Sequence, residues 1–323
     1  MLRHLLRPPA VFLALVWSAW AADLPAYELS GSITPPFGGR VSLFSASEPY
    51  SASTLADVSG HFHFKQVRPG IYTISILSRR RGEARRTVDV TPGLADRKGR
   101  IPLKLNLSDS DFSFAAVMSR QLVSKRQLGI PESARRDYER AQNELSRRRV
   151  DAAVAHLQRA VERAPAFAPA WNTLGVIAYQ TRSFDRAEEC FRKAVGADPD
   201  SFESLVNLGG VMVTEHKLDE AMQYNLKAVL RRPNDALANA QLGVTYYLLA
   251  QYELATKYLE KTRQLDPASF TYPQLMLFEI HYRNGDRERA ASDLEEFLRH
   301  HPDWPQAPAM RQTIASFRKV PSR

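Results

Sequence analysis

Of the 323 residues only one, Cys190, is a cysteine, so no disulfide can form within the chain and its stability has to come from packing. Long apolar runs are equally scarce: the clearest, Ala10 to Ala19, opens the chain and is shorter than the ~20 residues of a membrane-spanning helix. No transmembrane span is expected. A dominant charge is missing too. The net +9 comes from 44 Lys plus Arg against 35 Asp plus Glu, with 12 basic and 8 acidic residues in 22–110 and 30 against 27 in 111–323, which is not the concentrated basic face of a dedicated nucleic-acid binder. The chain also lacks G-x-S-x-G, H-E-x-x-H, a glycine-rich phosphate loop and C-x-x-C. It therefore reads as non-enzymatic, with no catalytic residue, cofactor or metal ligand assigned. What is present, 44% hydrophobic and 24% charged residues, is an ordinary globular composition with room for about two domains.

Arg3 and Arg7, the short apolar run and Ala19-Trp20-Ala21 follow one another in the order of a secretory signal, so residues 1–21 are read as a signal peptide. Export follows as an expectation, to the periplasm or beyond, with an N-terminal anchor if the segment is retained. No Cys follows the apolar run, which excludes a lipid-modified N-terminus.

From 22 to 110 the pattern is all-β. Short runs at Tyr27–Ile33, Arg40–Phe44, His61–Phe64, Ile71–Ile76, Arg86–Val90 and Ile101–Leu105 alternate with turn residues, which is the spacing of a small sandwich. In Asp57-Val58-Ser59-Gly60-His61-Phe62-His63-Phe64, Asp and Gly supply a turn, after which Phe62 and Phe64 share one face and His61 and His63 the other. Pro69-Gly70 makes a second turn before Tyr72, Ile74 and Ile76. These residues resemble the carboxypeptidase regulatory-like domain, whose signature runs D-x-x-G-x-F-x-F and then V-x-P-G-x-Y. The resemblance implies a transthyretin-like sandwich of about seven strands serving as a non-catalytic accessory module on exported proteins.

A linker is read over 111–130, and beyond it the chain repeats itself. Pro165, Pro199, Pro233 and Pro267 are spaced 34 apart, with Pro302 35 further on. Leu-Gly pairs at 174–175, 208–209 and 242–243 stand at constant phase, as do Ala153, Ala187, Ala221, Ala255 and Ala290. Each unit is a helix pair in which Gly and Ala sit where the helices cross closely, and Pro opens the next unit. This register resembles the tetratricopeptide repeat (TPR), which implies an all-α right-handed solenoid with five units over 131–304. The first unit has Tyr138, Ala141 and Leu145 in place of Leu-Gly, the third has Asn225 where an aromatic is usual, and the fifth has Phe278 in place of Gly. Residues 305–323 carry Met310, Ile314 and Phe317 at helical spacing and read as a capping helix and tail.

The TPR resemblance implies a concave groove lined by the first helix of each pair. Carried onto this sequence, its lining includes Asn172, Val176, Tyr179, Gln180, Glu203, Asn207, Val213, Gln241, Val244, Tyr247, Leu275, Tyr282 and Arg283. Tyr179, Tyr247 and Tyr282 are expected to form a row of amphipathic rings, and Asn172, Asn207 and Gln241 to offer amides to an extended backbone. The expected ligand is a peptide or helix segment of a protein partner. The alternative is that the tyrosines pack between units. Arg79, Arg80, Arg81, Arg85 and Arg86 form a basic cluster at one hairpin turn, read either as a solvated turn or as a docking patch for an anionic envelope polymer or a membrane surface. His61 and His63 read as surface residues, Cys190 as a small partly buried hydrophobe, and His300-His301 as a pair that satisfies terminal helix carbonyls. The leading function is an adaptor of the bacterial cell envelope. A polysaccharide-binding sandwich with oligomerising repeats is the competing one.

Overall fold

The computed structural model describes residues 25–78, 80–112 and 129–318. The expected signal peptide, Arg79, most of the linker and the last five residues lie outside the described residues. These fall into two compact bodies, 25–235 and 236–318, each taken separately below. Among the described residues no helix is long and apolar enough to cross a membrane.

The first body begins with seven strands in two sheets. β1 (Tyr27–Thr34), β4 (His61–Val67) and β7 (Arg100–Asn106) form a three-stranded sheet in the order β4-β1-β7, with β1 and β7 parallel; β2 (Gly39–Ser45), β3 (Ser51–Ala56), β5 (Gly70–Ser78) and β6 (Gly82–Val90) form an antiparallel sheet in the order β3-β2-β5-β6. Alternation decides which side chains meet between the sheets. Leu29, Ile33, Val41, Leu43, Phe62, Phe64, Tyr72, Ile74, Ile76, Val88 and Ile101 turn inward and are buried, while His61 and His63 face out. Burial raises the Tyr72 phenol to about 12, and its hydroxyl donates to the Arg68 carbonyl at 2.9 Å. Phe112 belongs to this core, so the sandwich runs two residues past 110.

Two strands depart from the sequence reading. β3 was absent from it, because Ser-Ala-Ser-Thr-Leu-Ala has no apolar alternation and only Ala56 is buried. β6 begins four residues earlier than Arg86, and its Glu83 and Arg85 look like loop residues until one sees what their face meets.

Helix pairs follow: α1 (Glu132–Ser146) with α2 (Val150–Arg163), α3 (Ala168–Gln180) with α4 (Phe184–Ala197), and α5 (Phe202–Thr214) with α6 (Leu218–Arg231). The second body holds α7 (Ala236–Leu248) with α8 (Tyr252–Leu265), α9 (Pro273–Arg283) with α10 (Arg287–His300), and the capping helix α11 (Ala307–Arg318). The arrangement is the expected TPR solenoid following an all-β sandwich. Ala153, Ala187, Ala221, Ala255 and Ala290 are all fully buried. A Cβ on Gly175 would stand 2.5 Å from the Phe191 ring, on Gly209 1.9 Å from Asn225 Oδ1, and on Gly243 2.9 Å from Leu259, so the missing side chain is what lets each helix pair close.

The turn inside each pair has its own period. Arg148, Arg182, His216 and Ala250 take left-handed φ of 59°, 63°, 58° and 57°, and Gly285 takes 77° in the fifth unit. One αL residue reverses the chain so that the second helix packs back on the first.

Candidate interaction face of the repeats

In the first body, the side chains expected to line the groove mostly meet one another. Asn207 Nδ2 donates to Asn172 Oδ1 at 3.0 Å, linking α3 to α5. The Tyr179 and Thr214 hydroxyls share a 3.0 Å hydrogen bond across the same step, and burial raises the Tyr179 phenol. Val176, Tyr179 and Val213 pack at the margin of the core formed by the second and third pairs. The Asn and Tyr ladders therefore hold repeats in register.

The outer face of the four-stranded sheet meets the same helices. Gln180 Nε2 donates to the Ser45 carbonyl at 3.0 Å, and Ser51 Oγ donates to Gln142 Oε1 at 3.2 Å. Arg148 pairs with Glu48 and lies 4.1 Å from the Tyr50 ring centre. At the third pair a larger charge cluster forms. Arg85 donates to Glu83 at 3.0 Å and Glu203 at 3.2 Å and stands 3.8 Å from Asp235. Arg232 donates to Glu83 at 3.2 Å and Glu203 at 3.0 Å. Both guanidiniums face the Phe202 ring, at 4.0 Å for Arg232 and 5.5 Å for Arg85. Ser75 Oγ adds a 2.6 Å bond to Glu83.

Burial works to raise the Glu203 carboxyl, but the Arg232 and Arg85 charges outweigh it and hold it below its ordinary value. For Arg85 burial favours the neutral form, and Glu83, Asp235 and Glu203 overcome that, so its guanidinium stays charged. Glu83, Arg232 and Asp235 are removed from water and depend on their opposite charges, while Arg85 and Glu203 stay partly exposed.

This corrects the reading of the arginine cluster as one patch. Arg85 lies in the charge cluster just described, and Arg86 pairs with Asp111 at 2.5 Å. Arg81 lies 5.1 Å from the Phe37 ring centre and 3.7 Å from Asp109. Arg80 is exposed, and Arg79 is outside the described residues. Strand alternation is the reason: once β6 starts at Gly82, Arg85 is directed to the helices and Arg86 to the other side.

In the second body the tyrosines are likewise engaged. Tyr247 is buried, and its hydroxyl donates to Glu279; burial and that hydrogen bond together raise its phenol. Arg283 donates to Glu279 at 2.6 Å and to the Tyr252 hydroxyl at 2.8 Å. The Tyr282 ring stacks on Phe278 at 6.0 Å and on Phe317 of the capping helix at 5.6 Å, and Leu275 packs beside the same core. The expected free row of rings is thus corrected: each tyrosine has a partner within its own body. Gln241 and Val244 remain half-buried on α7, and Gln241 Oε1 accepts no hydrogen bond from the described residues.

Among the described residues no group of His, Cys, Asp and Glu could hold a metal ion, and Cys190 is buried, its thiol raised by burial. The His301 ring does not cap the carbonyls of α10. Its backbone N–H does so, donating to Phe297 O at 2.9 Å, while the ring packs among Tyr272, Phe297 and Trp304.

A family model described as the Cilia and flagella-associated protein 70 middle TPR-like domain matches residues 140–296. The chain is 24% identical over 135 residues to the N-alpha-acetyltransferase 16, NatA auxiliary subunit, of Homo sapiens, covering 40% of this chain and 15% of that protein. It is 23% identical over 167 residues to BBSome complex member BBS4 of Xenopus tropicalis, covering 52% of this chain and 31% of that protein. It thus spans only a small part of the length of these relatives. Among solved structures, pilF of Pseudomonas aeruginosa is 22% identical with a TM-score of 0.50, over 58% of this chain and 89% of that one. Similarity at this level concerns the fold, and the fold it supports is a TPR solenoid.

Proposed function

We propose that the protein is a non-enzymatic interaction adaptor, exported to the bacterial cell envelope, that holds a polypeptide segment of a partner on the concave side of its repeats. One observation carries this reading: the first-helix side chains Gln180 and Glu203 already receive polypeptide, taking the Ser45 carbonyl and the Arg85 guanidinium of the sandwich. A face that supplies an amide donor to a backbone carbonyl and a carboxylate to an arginine has the chemistry of peptide recognition. The sandwich, with its regulatory-like signature, is the accessory module that accompanies it.

The experiment is site-directed photocrosslinking in the native host, with the reactive side chain placed at Asn207 or Val244, and at exposed Leu230 as reference. The adaptor reading expects one discrete envelope partner from the first two positions and none from Leu230. Equal yields from all three, or none from Asn207 and Val244, would overturn it.

A further inference from the structure

The surface that joins the sandwich to the repeats differs in kind from the surfaces that hold each together. Among the described residues, the apolar core of the sandwich ends at Phe112 and that of the first repeats begins at Ile130, and the two share no residue. Between them run polar contacts: Glu48 with Arg148, Ser51 with Gln142, Ser45 with Gln180, and the charge cluster at the third pair. Interfaces of this composition, polar and without a merged core, are the ones that open and close.

The strand that supplies the charges is β6, an edge strand of its sheet. In Glu83-Ala84-Arg85, Ala84 turns into the sandwich and is fully buried, while Glu83 and Arg85 share the opposite face, two residues apart. Glu83 answers Arg232, and Arg85 answers Glu203 and Asp235. Lifting the sandwich away takes a carboxylate from Arg232 and a cation from the two acids in one motion. The open face then favours whatever restores both.

We propose that the sandwich is a displaceable plug of the concave face of the first three repeats, and that this face binds in its place a polypeptide strand bearing a carboxylate and an arginine two residues apart. The proposal rests on the adaptor reading and names its ligand. The first three repeats are closed in the free chain, and a partner enters by outcompeting the molecule's own β6. A uniformly basic segment answers the acids but not Arg232, and a neutral one answers neither, so both bind more weakly, with Arg232 held only by Glu203.

The test uses the full chain and a fluorescent peptide of the β6 sequence, Gly82–Val90. Glu83→Lys with Arg85→Glu sets like charges against Arg232 and against Glu203 and Asp235. In this variant, amide exchange on α3 and α5 rises while the helicity of the repeats stays intact. The peptide binds it saturably and at least tenfold more tightly than it binds wild type, and a peptide carrying Arg85→Glu does not bind. Unchanged exchange, or equal peptide affinity for both proteins, overturns the plug; an opened variant that ignores the peptide overturns the ligand. Should the charge-reversed chain fail to fold, wild type with peptide in millimolar excess carries the test, since tethered segments compete at about that effective concentration. Exchange on β6 then rises if the strand is displaced and stays constant if the proposal is wrong. The peptide assay needs no host partner, so it can succeed where photocrosslinking fails, and the two ideas fall separately.

Discussion

Glu83 on the sandwich and Arg232 at the end of the third repeat, 149 positions apart, meet at 3.2 Å with side chains only 3% and 5% exposed. A pair so far from water is worth little as an attraction but is expensive to break, because the survivor is left as an uncompensated buried charge. Glu83→Gln or Arg232→Met alone should each cost about 2 kcal/mol, below the 3–5 kcal/mol of an isolated buried pair, since Arg85 and Glu203 remain as second partners. The double variant should cost clearly less than the sum of the two. Urea unfolding of the four proteins as a double-mutant cycle measures this; strict additivity would mean the two residues do not act as a pair.

The close helix crossings predict opposite outcomes for one substitution. Gly209→Ala puts a methyl group 1.9 Å from Asn225 Oδ1, and Asn225 is fully buried. The cost should be about 1–3 kcal/mol, partly recovered by adding Asn225→Ala. Gly196, on α4, has nothing within 4 Å of where a Cβ would lie, so Gly196→Ala should stabilise by about 0.5–1 kcal/mol. Thermal melts of both variants against wild type decide it.

The left-handed turns offer a third measurement. Arg182 and His216 are exposed and hold φ near +60°, a conformation that is costly for side chains with a Cβ but free for glycine. Arg182→Gly or His216→Gly should raise stability by up to about 1 kcal/mol, and Gly285→Ala should lower it by a similar amount. Arg148 takes the same turn but also holds Glu48 and the Tyr50 ring, so Arg148→Gly should destabilise. Equal responses at Arg148 and Arg182 would remove the role given to the Glu48 contact.

What was legible in the sequence was whatever repeats or alternates. The 34-residue spacing of Pro165 to Pro267 located the helix pairs, and Phe62, Phe64, Tyr72 and Ile74 pointed to the sandwich, because packing against a neighbour enforces those periods. The αL turns have no signature in the sequence, since only Gly285 among them is a residue whose type announces the conformation. The groove list carried over by phase found residues of the right helices, yet phase is blind to what lies opposite. Tyr179 meets Thr214, Tyr247 meets Glu279 and Tyr282 meets Phe317. Gln180 and Glu203 meet a separate domain, and that contact has no local signature. Its one trace was the alternating charge of Glu83 and Arg85, which reads as a solvated turn until Arg232 and Asp235 stand across from it.

His301 gives the pH dependence. Burial among Tyr272, Phe297 and Trp304, with a smaller push from His300, lowers its pKa from 6.5 to about 4. Between these values the unfolded chain binds the proton and the folded chain does not, so stability is complete above pH 6.5 and is lost progressively as the pH falls towards 4. Asp293 on the same helix α10, raised to about 6 by burial, pulls the other way, because there the folded state takes the proton first. The contribution of His301 is therefore the difference between wild type and His301→Phe, which keeps an aromatic ring and removes the titration. Melting temperatures recorded from pH 7.5 to 4 should show wild type losing more stability than the variant across that window. Parallel curves would mean the ring is protonated in the folded state without penalty, and thus that it is open to water.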